Sequence, residues 1–213
     1  MRLSPPVHAL PLPSPATPFH RRHRVGARTI AADRFRHLLQ VAETDIGQPI
    51  DVDEDRLATA ARHLLLHGGP SRLPACISER LRCAAAMALM LQDAHWHADE
   101  RAAGAARGVV RHVHGGQSLF ENATPALRFL GDALLVDAAW PRTSAEVLSY
   151  CDYRRLRLIE SELRGCDWRE FGFTRSDYRE AREAESALLA QRRRTGLGSY
   201  LQAPRFGSRT GIH

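Results

Sequence analysis

An all-α fold is predicted by three observations. Apolar residues recur at helical spacing through most of residues 29–194, cap and breaker residues punctuate the intervals, and no run shows the alternation of a half-buried strand. The expected architecture is a compact bundle of five to seven helices with disordered N- and C-terminal tails. Residues 1–28 read as a Pro/Arg-rich disordered tail, 29–194 as a single helical domain, and 195–213 as a Gly/Arg-rich disordered tail.

In the first segment Pro5, Pro6, Pro11, Pro13, Pro15 and Pro18 oppose both helix and ladder. A short helix over 29–43 carries Ile30, Phe35, Leu38, Leu39 and Ala42 on one loose stripe, and Gly47 and Pro49 end it. Asp51 to Glu54 reads as a capping box with aspartate in place of serine, leading into Leu57, Ala60, Ala61, Leu64 and Leu65. Gly68-Gly69-Pro70 stops that helix. The next runs from about Pro74 to His97, and its centre, Cys83 to Leu91, is apolar on all faces, as in a helix covered by others. Residues 98–114 place Ala102, Ala105, Ala106, Val109, Val110 and Val113 at helical spacing, closed by Gly115-Gly116. Thr124-Pro125 begins a helix through Trp140 that Pro141 breaks. Thr143 to Glu146 is a second capping box, opening a helix to Arg164. A last helix spans 174–194, with Tyr178, Ala181, Ala184 and Leu188 on a stripe.

The composition, 44% hydrophobic and 25% charged, is that of a globular chain and excludes collagen-like or wholly disordered sequence. All 30 basic residues are arginine, which reads as the imprint of a GC-rich, bacterial genome. Charge is segregated. Residues 1–28 and 191–213 hold ten arginines and no acid, leaving 20 arginines against all 24 acids in between. A uniformly basic nucleic-acid-binding domain is therefore disfavoured, and contact with nucleic acid would fall to Arg21, Arg22, Arg24, Arg192, Arg193 and Arg194. No apolar run reaches the ~18 residues of a membrane span, and no clean signal-peptide core is present, so a cytoplasmic protein is expected. Cys76, Cys83, Cys151 and Cys166 form no CxxC and read as free thiols.

Catalytic patterns are absent: no GxSxG, P-loop, GxGxxG or EF-hand loop occurs. His63 and His67 share a helix face but lack the glutamate of HExxH and a third ligand. His95, His97, His112 and His114 read as surface histidines near helix C-termini. No catalytic residue, metal ligand set or cofactor is assigned. Asp132 and Asp137 interrupt an apolar helix, and two placements stay open. They line the exposed edge of a half-buried helix, or they join Asp152 and arginines such as Arg128 in a polar pocket.

Residues 119–157 carry a resemblance. Leu119-Phe120, Pro125 to Val136 (PALRFLGDALLV) and Tyr150 to Arg157 (YCDYRRLR) resemble the YkvA-like family, a small helical domain of unknown function common in bacteria. Gly131 stands at the first of the family's two aspartates, Asp132 at the second, and Arg128 at a family glycine. The resemblance implies a helical fold and no established activity. The expected function is a cytoplasmic scaffold or protein-interaction module, the alternative being non-specific nucleic-acid binding through the arginine-rich ends.

Overall fold

The all-α bundle is observed. A computed structural model describes residues 3–13, 24–25, 28–67, 73–116, 118–120 and 123–198. Its helices are α1 (Ala32–Val41), α2 (Glu54–His67), α3 (Ala75–Gln92), α4 (Glu100–Gly115), α5 (Pro125–Arg128), α6 (Leu130–Leu163) and α7 (Arg175–Gly198). A π-helical turn, Ala42–Ile46, extends α1 and ends at Gly47, whose φ of 71° is left-handed. A minimal antiparallel ribbon, β1 (Arg24–Val25) with β2 (Arg28–Thr29), precedes α1 and was not legible as strand.

The long α6 is the centre. It packs against α3 and α4, which also pack against each other. Leu130, Leu135, Val136 and Ala139 of α6 are buried in one apolar core with Cys83, Met87 and Met90 of α3 and Ala106 and Val109 of α4. Leu38 of α1 approaches the start of α6 at Gly131. A Cβ there would lie 3.0 Å from Leu38 Cδ1 and 3.2 Å from Leu119 Cγ, so aspartate at this position would clash.

Several expected boundaries move. Pro141 does not end a helix, because α6 runs through it for 34 residues with Thr143 and Val147 buried beyond. Burial of both halves of α6 outweighs the lost amide donor and the ring clash. Thr143 does not cap: its hydroxyl donates to the Ala139 carbonyl at 3.0 Å, and Glu146 binds Arg175 instead. The break falls earlier, at Phe129 between α5 and α6. Cap duty before α2 belongs to Asp53, whose Oδ1 accepts from the Arg56 amide at 2.7 Å. α3 stops at Gln92, and the following turn buries Trp96. α4 is capped by Asp99, whose carboxylate accepts from the Arg101 and Ala102 amides.

Residues 3–13, expected in a disordered tail, run extended and docked. Leu10 is buried. Glu79 accepts from the Val7 and His8 amides, both at 3.0 Å, and contacts His8 Nδ1 at 2.6 Å. Arg56 donates to the Pro13 carbonyl. An extended Pro-rich backbone leaves amides and carbonyls unpaired, and α2 and α3 supply the partners.

Arg80 of α3 joins three parts of the fold. Its Nε and Nη2 donate to the two Asp137 oxygens at 2.7 and 2.8 Å, while Nη1 donates to the His8 and Cys76 carbonyls. Arg80→Ala is expected to lower unfolding free energy by roughly 3 kcal/mol in urea titration, at the lower end for a broken buried pair because Asp137 keeps some contact with water. A loss under ~0.5 kcal/mol, the range of ordinary surface substitutions, would place Arg80 outside the core network.

Candidate functional site

The four residues of the expected polar site do not meet. Asp132 and Asp137 are five positions apart on α6, about 140° around the axis, and so face different helices. Asp137 faces Arg80 of α3. Asp132 faces α4, with Oδ1 3.7 Å from His112 Nε2. Asp152, some 30 Å further along α6, pairs with Arg155 at 2.8 Å and Arg182 at 3.3 Å, and Tyr178 donates to it. Arg128 is exposed over the Phe129 ring. Neither open placement of the aspartates holds as a whole: Asp132 is buried rather than at an exposed edge, and no common pocket gathers the set.

His112 corrects the surface reading of the histidines. It is buried, and its Nε2 has no hydrogen-bond partner among the described residues. The His37 ring lies 6.4 Å away. Burial, with the neighbouring His37, pushes His112 below its usual range. Burial also raises the Asp132 carboxyl to about 6, against a smaller lowering by Arg128. A signal for His112 was present: Ala102, Ala105, Val109 and His112 follow one buried stripe of α4. Its partner was not legible, because Asp132 comes from another helix.

The other candidates are dispersed. His95, His97 and His114 are exposed, as expected. His63 is exposed on α2, and the side chain of His67 lies outside the described residues, as do His20 and His23. Among the described residues, no three His, Cys, Asp or Glu converge as a metal site. The four cysteines are free, and burial pushes the Cys83 thiol up to about 11, far from a reactive thiolate. Arg21 and Arg22 lie outside the described residues, and Arg24 is described only as backbone. Arg192, Arg193 and Arg194 lie on α7, which reaches beyond the predicted end, and every residue from 186 to 195 is exposed.

An apolar groove of about 470 Å³ lies between α3 and α4. Leu81, Ala84, Ala85, Ala88 and Leu89 form one wall, and Val110, Val113 and His114 the other. Sequence reasoning missed it because the centre of α3 is apolar on all faces, so its periodicity does not show which side stays uncovered. The alanines lower that wall enough for a backbone to approach closely. Among the described residues, no helix is long and apolar enough to cross a membrane. Compared with protein families, curated proteins and solved structures, the chain has no match in any of the three.

The buried carboxyl sets a pH dependence. Its folded pKa lies above its unfolded value, so the protonated form favours folding, and that contribution is lost as pH rises through about 6. His112, shifted down, acts oppositely, so the Asp132 share is isolated by difference. The stability of wild type minus that of Asp132→Asn is expected to fall by about 2 kcal/mol between pH 4 and 7. A flat difference in urea titrations would show that Asp132 is ionised and satisfied.

Proposed function

We propose that the protein is a non-catalytic helical interaction module whose α3/α4 groove receives an amphipathic helix of a partner protein. The observation that carries this reading is the groove: an apolar, alanine-floored trough between two helices, open to solvent. Helix-in-groove recognition uses apolar anchors at i, i+3 or i+4, and i+7 laid into such a trough. The scattered, internally paired carboxylates and the desolvated Cys83 thiol support a binding role over a chemical one.

Selection of helical peptides on the protein tests it. Selected peptides are expected to bind saturably, and Ala85→Arg, at an exposed position of the groove wall, is expected to weaken them at least tenfold while the thermal midpoint stays unchanged. Equal binding by the variant, or no helix selected, would overturn the reading.

A second reading, non-specific nucleic-acid binding, draws support from the far end of α7. From Ser186 to Thr195 this helix is fully exposed and carries Arg192, Arg193 and Arg194 with no acid. Successive residues turn about 100° around a helix, so the three arginines fan out rather than form one reading face. That arrangement suits phosphates rather than base edges. Replacing all three with alanine is expected to shallow the log–log salt dependence of duplex-DNA binding by about 3, at roughly 0.9 per phosphate contact. An unchanged slope in anisotropy titrations would remove these residues from any such contact.

A further inference from the structure

A second, smaller cleft lies where the turn after α3 meets α6 and the α6–α7 loop. It encloses about 230 Å³ and is lined by Asp93, Arg154, Arg157, Leu158 and Trp168. The volume falls below the ~300–1,000 Å³ of sites for drug-sized ligands, so its occupant is small.

Its lining is unusual in charge. Arg154, Arg157 and Leu158 share one face of α6 at i, i+3 and i+4. Arg157 is 5% exposed. Its Nε and Nη2 donate to the carbonyls of Phe171 and Arg169 at 3.1 and 3.3 Å, and Tyr153 lies beside it. Nη1 stands 3.7 Å from Asp93 Oδ2, an ion pair without a hydrogen bond. Asp93 already accepts from Tyr150 at 3.2 Å and from the His95 amide at 3.1 Å. Arg154 is half-buried with its guanidinium 5.8 Å from the Trp168 ring centre, and it forms no ion pair or hydrogen bond with the described residues. Arg169 covers the same ring at 5.1 Å.

Two guanidiniums thus face one carboxylate that is already engaged, leaving the lining one positive charge in excess. A buried guanidinium whose one carboxylate stands at 3.7 Å gains from a closer anion, and a bidentate oxyanion is its best partner. The excess of one charge matches a monoanion. The Leu158 side chain and the Trp168 ring provide an apolar wall that a bare inorganic ion would leave unused. We propose that this cleft is a binding site for a small organic carboxylate, held by Arg154 and Arg157 with its apolar body against Leu158 and Trp168.

The test uses the full chain with benzoate as probe, titrated by NMR on the indole N–H signals and by calorimetry, with inorganic phosphate as comparison at matched ionic strength. Trp168→Phe identifies the Trp168 indole signal. The expected result is saturable benzoate binding that shifts that signal, weakened at least tenfold in Arg154→Gln and only a few-fold in Arg154→Lys. Arg154 is half-buried and unpaired, so both variants are expected to fold, and the unshifted indoles of Trp96 and Trp140 report it. No saturable shift, equal affinity in Arg154→Gln, or phosphate binding as tightly as benzoate would each overturn the assignment. None of these results depends on the α3/α4 groove.

Discussion

The Arg80 guanidinium is the constraint on which the inner bundle depends. It lies within the apolar contact between α3 and α6, where an unpaired charge would be expensive. Asp137 receives it through two parallel hydrogen bonds, and the carbonyls of Cys76 and His8 take Nη1. This fixes the register of α3 on α6, since a shift by one turn would separate the fork from its carboxylate. It also makes the N-terminal strip part of the fold, because the His8 carbonyl is one of the acceptors. Glu79, one residue before, clasps the same strip from the same helix. The apolar core supplies most of the folding free energy, and the Arg80 network selects one arrangement of it.

A second knot holds α7 and the C-terminal half of α6. Trp96 is fully buried in the turn that ends α3, with Tyr150, Tyr153 and Tyr178 rings within 4.9–5.7 Å. Arg175 lies 4.7 Å over its ring and grips Glu146 with two hydrogen bonds. Tyr153 donates to the Phe173 carbonyl at 2.7 Å. These contacts hold the first turn of α7, ion pairs of Arg182 with Asp152 and Glu185 with Arg155 hold the next two, and residues 186–195 are exposed, Leu188 and the arginine triplet among them. The Asp93 cleft borders this knot, and its arginines are held by the backbone of the same loop that the aromatics stabilise.

The two surfaces proposed for binding differ in origin. The α3/α4 groove exists because alanines at Ala84, Ala85 and Ala88 leave the helix pair short of side-chain volume on one side. The small cleft lies where the Trp168 ring of the α6–α7 loop meets the α6 guanidiniums of Arg154 and Arg157, at 5.8 and 6.0 Å. Helix periodicity carried no sign of either, since each depends on which face another element leaves uncovered.

Local chemistry was legible in the sequence. The helical class, the start at Pro125, and the core stripes of Leu57, Ala61 and Leu64 or Ala102, Ala105, Ala106 and Val109 follow from spacing and from proline at the first helical position, which act within a turn or two of the chain. Partners across helices were not legible. Asp137 with Arg80, Asp132 with His112, and Asp93 with Arg157 are separated by 20 to 64 positions, and the turn of α6 sends Asp132 and Asp137, which read as one acidic group, to different neighbours. Pro141 shows the same division: its local effect favours a break, and burial on both sides of it keeps α6 continuous. The sequence by itself determined which segments are helical and which residues want burial, because those preferences are local. Tertiary structure decided which charges pair, which faces stay open and where the Pro-rich strip docks, because those depend on groups that only packing brings together.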